Sequence, residues 1–210
     1  MTTIVLIAKE TVPGKVKTRL HPPLSLVDAA ELAASAVFDT LAAIALVPAT
    51  RRILLFDGNL LPPGSEDYVV MNQTAGDLDV RLGAMFDACE GATVLIGMDT
   101  PQVTAGMLAP MFEPWPDDVD AWFGAANDGG FWALALARPD GDLVRGVPMS
   151  RDDTGAIQRQ RLVDAGLRVR DLPTLTDVDT IDDAFEVAAL APDGRFASTL
   201  ARLAPAGGAA

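Results

Sequence analysis

Lysine is almost missing from this chain of 210 residues. Lys9, Lys15 and Lys17 are all there are, and arginine serves everywhere else. Cation is scarce overall: the formal net charge is -13. No basic face is large enough to cover many phosphates, so nucleic acid is not an expected partner. Anionic membranes are disfavoured for the same reason. Cysteine occurs once, at Cys89. An intrachain disulfide is therefore ruled out, and nothing ties the chain to an oxidising compartment. His21 is the one histidine; it precedes Pro22 and has no patterned partner. With no G-x-S-x-G elbow, a Ser-His-Asp or Cys-His relay is unsupported. No Cys/His cluster suggests zinc. A Walker loop is missing, as is G-x-G-x-x-G after the first apolar run. No basic n-region or long h-region is visible, so no signal peptide is expected. No apolar run is long enough for a membrane span. The expected location is cytoplasmic.

Half of the residues are hydrophobic and aromatics make up only 6%. Abundant Ala, Leu and Val suit helices packed on a Val/Ile/Leu sheet. One domain over residues 1–203 is expected, with a disordered tail at 204–210. The pattern predicts strands at about 3–8, 53–56, 68–71, 93–97, 121–125, 131–136 and 168–172. Helices are predicted at about 26–47, 79–90, 104–112, 154–165 and 181–189, with Ser25 capping the first. Strands alternate with helices over the first two thirds, so an α/β fold with a mainly parallel sheet follows. The strands around Asn127-Asp128-Gly129-Gly130 predict a hairpin or a partly antiparallel edge. In such sheets ligands bind beyond the carboxyl ends of the strands.

That rule selects the motifs. The first strand runs into Lys9-Glu10-Thr11-Val12-Pro13-Gly14-Lys15-Val16-Lys17-Thr18-Arg19-Leu20. Four cations against one acid, on an acidic protein, call for an anion, and a nucleotide phosphate is the simplest. Asp99 follows the strand at 93–97, and Pro101 stops that strand from continuing. A carboxylate there suits Mg²⁺ or Mn²⁺. Asp177, Asp179, Asp182 and Asp183 crowd one short stretch, where a helix start at Thr180 and a cation could relieve their repulsion. Asp99 and a carboxylate of this cluster, from separate strand ends, could thus clamp one divalent cation. The Gln73-Thr74-Ala75-Gly76-Asp77 segment also follows a strand, and an amide there could read a base edge. The glycines of the Asn127–Gly130 turn would admit a ligand close to the backbone.

Together these landmarks resemble the DUF2064 family: Ala8-Lys9 with Pro13-Gly14-Lys15-Val16-Lys17-Thr18-Arg19-Leu20, Gln73 with Gly76-Asp77-Leu78 and Arg81-Leu82, Ile96-Gly97-Met98-Asp99-Thr100-Pro101, Asp128-Gly129-Gly130-Phe131-Trp132, and Asp177-Val178-Asp179-Thr180. The family is described as glycosyltransferase-like and related to phospholactate guanylyltransferases, within the nucleotide-diphospho-sugar transferase superfamily. The resemblance spans roughly residues 3–190. It implies a three-layer α/β/α Rossmann-like GT-A fold with a small antiparallel element. It implies that Lys9, Gly14, Lys15, Lys17, Thr18 and Arg19 hold phosphates, that Gln73, Gly76 and Asp77 border the base, and that Asp99 and Asp179 hold the metal. Asp128, Gly129, Gly130 and Ser150 fall on the acceptor side. Two positions depart from the family: Phe131-Trp132 stand where two tyrosines are frequent, and Met149 where a Trp is frequent.

The expected activity is a Mg²⁺-dependent transfer from a nucleotide donor to a small-molecule acceptor. The donor is a nucleoside triphosphate or a nucleotide-sugar. In nucleotidyl transfer Lys15, Lys17 and Arg19 would stabilise charge on the phosphates. In glycosyl transfer Asp128 would serve as base. The alternative is a nucleotide-binding module without turnover, acting with another biosynthetic enzyme. A homodimer is left open.

Overall fold

The structure is a computed structural model that describes residues 2–204. Of the expected tail, residues 205–210 lie outside that range. Seven strands form one sheet: β1 (Thr2–Lys9), β2 (Arg51–Asp57), β3 (Val69–Asn72), β4 (Ala92–Ile96), β5 (Ala121–Ala125), β6 (Phe131–Leu136) and β7 (Val169–Asp171). Their spatial order is β3-β2-β1-β4-β6-β5-β7. Pairs β1–β2, β1–β4, β2–β3 and β5–β7 are parallel, while β6 runs antiparallel to both β4 and β5. The expected hairpin therefore exists, but inside the sheet, because β7 takes the edge beside β5.

Alternation along the strands explains the layers. In β1, Ile4, Leu6 and Ala8 belong to one apolar cluster and Val5 to another. Each face must be covered, since strands buried on both sides read as near-continuous apolar runs. Helices α1 (Leu26–Ala45) and α3 (Ala105–Leu108) cover the first face. The other carries α2 (Leu78–Asp87) and α4 (Thr154–Asp164), through Leu82, Met85, Phe86 and Leu162. Ser25 caps α1 in a reciprocal box with Asp28, as its position predicts.

A third cluster joins α1 to α5 (Ile181–Leu190) and α6 (Arg195–Leu203), the latter through Phe196 and Leu200. Helix α6 is not predicted by the sequence. Its N-cap is Gly194, which has no side chain to offer. The Asp39 carboxylate of α1 instead accepts from the Arg195 and Phe196 N–H groups, at 3.0 and 2.7 Å. The cap is tertiary, so the local sequence does not announce it.

Candidate active site

A cleft of about 800 Å³ opens at the carboxyl ends of β1, β2, β3 and β4. Its cationic wall begins where β1 ends. Lys17 takes left-handed backbone angles, φ 45° and ψ 40°. A non-glycine residue there costs roughly 1 kcal/mol or more, and such strain persists only where neighbours enforce it. The neighbours are acids. The Lys17 ammonium lies 2.8 Å from Asp99, 3.0 Å from Asp179 and 3.9 Å from Asp177. Only 10% of its side chain is exposed. Burial works against the charged ammonium, but the pull of Asp99, Asp177 and Asp179 outweighs it and raises its pKa. Lys17 is thus a fixed cation.

The main chain assembles this cluster. Asp99 follows β4, and its carbonyl accepts from the Val178 N–H at 3.0 Å. The segment before Asp177 is held by Asn127 N–H to the Leu175 carbonyl, at 3.0 Å, and by the Gln102 amide to the Thr176 carbonyl, at 2.7 Å. The buried Trp132 indole donates to the Pro173 carbonyl at 3.0 Å. Among the crowded acids, Asp183 turns away and caps α5 in a box with Thr180. Asp177 and Asp179 are left facing the cleft.

Asp177 is the most perturbed acid there. Burial raises its pKa, Asp99 adds to that push, and Lys17 opposes it; the outcome is about 8. Carboxylate oxygens of Asp128, Asp177 and Asp179 lie within 4.8 Å of one another. Two oxygens on one Mg²⁺, each at about 2.1 Å, can be no more than about 4.2 Å apart. A small side-chain rotation would close that gap, and an all-carboxylate donor set suits a hard cation. The expected pair, Asp99 with Asp179, is close too, since both touch one ammonium. But Lys17 already bridges that pair, and the trio that gathers is Asp128, Asp177 and Asp179. Asp177 was not picked out as a candidate ligand because its place beside Asp128 depends on the segment around Leu172–Leu175 running along β5.

The other expected residues divide. Lys9, Thr18, Arg19, Gln73, Asp128, Gly130 and Ser150 also line the cleft. Arg19 pairs with Asp179 at 3.2 Å. Gly14, Lys15, Gly76, Asp77 and Gly129 are not among its lining residues; Asp77 borders a smaller cavity of about 450 Å³ beside it. Gly129 has φ +88°, and a Cβ there would overlap the Asp152 carbonyl. Its role is close approach of two backbones, seen also in the Gly155 N–H to Gly129 carbonyl bond of 2.7 Å. The Asp128 carboxylate accepts from the Gly130 N–H at 2.8 Å, which fixes it over the turn.

Gln73 lines the cleft but makes its side-chain hydrogen bonds within the protein. Its amide nitrogen donates to the Ala8 and Leu55 carbonyls, at 3.0 and 3.3 Å. Its oxygen accepts from Arg81 at 2.9 Å. Both amide hydrogens are engaged within the protein, so this side chain has no donor for a base edge. Arg81, quoted in the sequence only as part of the resemblance and given no role there, also lines the cleft, as do Arg151, Asp152 and Thr154, which the sequence did not single out.

The sequence pattern of a family described as "Uncharacterized protein conserved in bacteria (DUF2064)" matches residues 33–151. No curated protein matches the chain. Among solved structures, a candidate nucleotide-diphospho-sugar transferase from Desulfovibrio desulfuricans G20 is 24% identical, with TM-score 0.78 over 94% of this chain and 97% of that one. The 2-C-methyl-D-erythritol 4-phosphate cytidylyltransferase from Thermus thermophilus is 17% identical, with TM-score 0.54 over 91% of this chain and all of that one. A CMP:2-keto-3-deoxy-manno-octonic acid synthetase complexed with CTP is 11% identical, with TM-score 0.55 over 91% and 98%. At these identities the likeness establishes the fold.

Proposed function

This chain belongs to the DUF2064 family, and from that premise we propose that it is a divalent-cation-dependent transferase. It takes a nucleotide donor in the cleft and passes a group to a small-molecule acceptor. The observation that carries this reading is the meeting of Lys17 with Asp99, Asp177 and Asp179 at the strand ends, with Asp128 beside the last two. Four acids from three chain segments, with one buried ammonium among them, are costly to assemble without a ligand to use them.

Nucleotidyl transfer is the better supported of the two reactions. Lys9, Lys17 and Arg19 line the same cleft, and a triphosphate carries more charge for them to neutralise than a diphosphate-sugar. An acceptor oxygen would attack the α-phosphorus, forming a P–O bond as the α–β bridge breaks and pyrophosphate leaves. Lys17 and Arg19 would stabilise the charge that grows on the non-bridging and leaving oxygens. For Lys17 to do this, the donor's phosphates must compete with Asp99 and Asp179 for its ammonium. Asp128, Asp177 and Asp179 would hold Mg²⁺ or Mn²⁺, which when bound supplies further neutralisation of phosphate charge. Asp128, on the Asn127–Gly130 turn, would orient the acceptor.

The test is a thermal-shift screen of nucleoside triphosphates and nucleotide-sugars with and without Mg²⁺, beginning with CTP. Pyrophosphate release in the presence of acceptors supports nucleotidyl transfer; nucleoside diphosphate release supports glycosyl transfer. No stabilisation by any nucleotide would sink the proposal. Tight binding with neither product released would favour a binding module.

A further inference from the structure

We propose that the Arg81 guanidinium is a fixed anion-binding group in the cleft, and that Gln73 is the residue that positions it. The proposal draws on the reading of the cleft as a nucleotide site only for the ligand's source. Arg81 sits in the first turn of α2 and is half-buried. Its Nε donates to the Gly76 carbonyl at 2.9 Å and its Nη1 to the Gln73 oxygen at 2.9 Å. Both acceptors are neutral. Among the described residues no carboxylate pairs with Arg81, although Asp77 and Asp79 precede it in the same turn and Asp57 lines the same cleft.

The contrast with the other cations is what singles it out. Lys17 and Arg19 face carboxylates, and Arg151 pairs with Asp153 at 2.9 Å. Lys9 is exposed and its ammonium is not held. Arg81 alone among the cations lining the cleft is held in place while its charge stays unpaired. A guanidinium carries five N–H donors; two are used on the neutral acceptors, and the rest are available. Planar, pre-oriented donors suit an oxyanion, phosphate or carboxylate, in two-point contact.

Gln73 is placed to do the positioning. Its amide is pinned across β1 and β2 by the Ala8 and Leu55 carbonyls, which turns its oxygen toward Arg81. A residue held by the sheet thus holds a residue on a helix. Arg81 also borders the smaller cavity next to Ser150, so the oxyanion could belong to the donor or to the acceptor.

Isothermal titration separates the cases. The probes are pyrophosphate, inorganic phosphate and each of the four ribonucleoside triphosphates with Mg²⁺. The proteins are the wild type, Arg81→Gln, Gln73→Ala and the double variant, each checked for melting temperature. Arg81→Gln should weaken binding about 10-fold or more, the scale of one charge-assisted bond. Loss with both pyrophosphate and a triphosphate supports the proposal and assigns the oxyanion to the donor. Loss with inorganic phosphate alone supports it and assigns the oxyanion to the acceptor. Gln73→Ala should lose part of the same affinity, and the double variant no more than Arg81→Gln by itself; independent, additive losses overturn the positioning role. Unchanged affinity for every probe in Arg81→Gln, or a wild type that binds none, overturns the proposal. A wild type that binds inorganic anions through Arg81 but no nucleotide leaves Arg81 standing and removes the transferase reading. If Gln73→Ala does not fold, Arg81→Lys, which keeps the charge and loses the planar fork, should retain only part of the wild-type affinity; full wild-type affinity in it overturns the claim of a fixed guanidinium.

Discussion

On the proposed reading, Lys17 and a divalent cation would compete for Asp179, which touches the ammonium and belongs to the acidic trio. The ammonium touches Asp99 and Asp179, so removing it should leave anionic oxygens that a cation can neutralise. Lys17→Met is expected to raise Mn²⁺ affinity in the absence of nucleotide, read by titration or by paramagnetic resonance. The same variant should weaken nucleotide binding by about 1–3 kcal/mol, the range for a charge-assisted bond. Lower Mn²⁺ affinity in the variant would contradict the competition. Asp177 gives a pH test. Its folded-state pKa is raised to about 8, above roughly 3.9 for an unfolded aspartate. The folded state therefore binds more protons across that window, and stability contributed by the protonated form is lost as pH rises from about 4 to about 8. The cation-free protein should melt lower at pH 8 than at pH 5, and Asp177→Asn should flatten that slope. An unchanged slope would show that the Asp177 proton is not involved.

Packing between elements gives two residues a structural role that local sequence does not show. Gly129 is expected beside the acceptor, yet it is the point where the Asn127–Gly130 turn meets Asp152. Gly129→Ala combines a positive φ with a backbone overlap, so a loss of about 2 kcal/mol or more is expected in a denaturant midpoint. A loss below roughly 0.5 kcal/mol, the scale of an ordinary surface substitution, would mean that the turn gives way easily. Asp39 caps α6 from α1. Asp39→Ala should cost about 1 kcal/mol, as loss of a cap does, and should speed hydrogen exchange in α6 more than in β4. Uniform exchange would remove the capping account. These elements also show what is legible locally. Helix α1 is read correctly because its cap, Ser25 with Asp28, lies in adjacent sequence. Helix α6 is missed because its cap comes from Asp39, far away along the chain.

For the molecule as a whole, the net charge of -13 sets a background. Such self-repulsion destabilises the compact state and is screened by salt. The melting temperature should therefore rise as sodium chloride goes from about 20 to about 200 mM, a span over which the Debye length falls from roughly 20 Å to under about 10 Å. A fall would show that the ion pairs, such as Arg168 with Asp120 at 2.7 Å, outweigh the repulsion. The sheet order belongs to this scale too. Alternating strands and helices predict parallel β1, β2, β3 and β4. The insertion of β6 between β4 and β5 depends on which strand edges remain unpaired after the rest has packed, and no residue of β6 specifies it locally.

The sequence by itself determined the α/β class, the strand-end rule for the site, and the gathering of cations after β1. Each follows from local quantities: apolar periodicity, caps, and the confinement of lysine to residues 9–17. It also placed Asp99 and Asp179 near one another, because both follow strands or strand-like segments. Only the tertiary structure decided which charges meet. Lys17 reaches Asp99 and Asp179 because a left-handed backbone turns it inward and because the Val178 N–H ties the Asp177–Asp179 segment to the Asp99 carbonyl. Gln73 becomes a strut for Arg81 because two carbonyls from β1 and β2 fix its amide, a pairing that the sequence does not show. Hydrogen bonds between distant segments carry no period along the chain, and so the partners of these side chains had to be read from the fold.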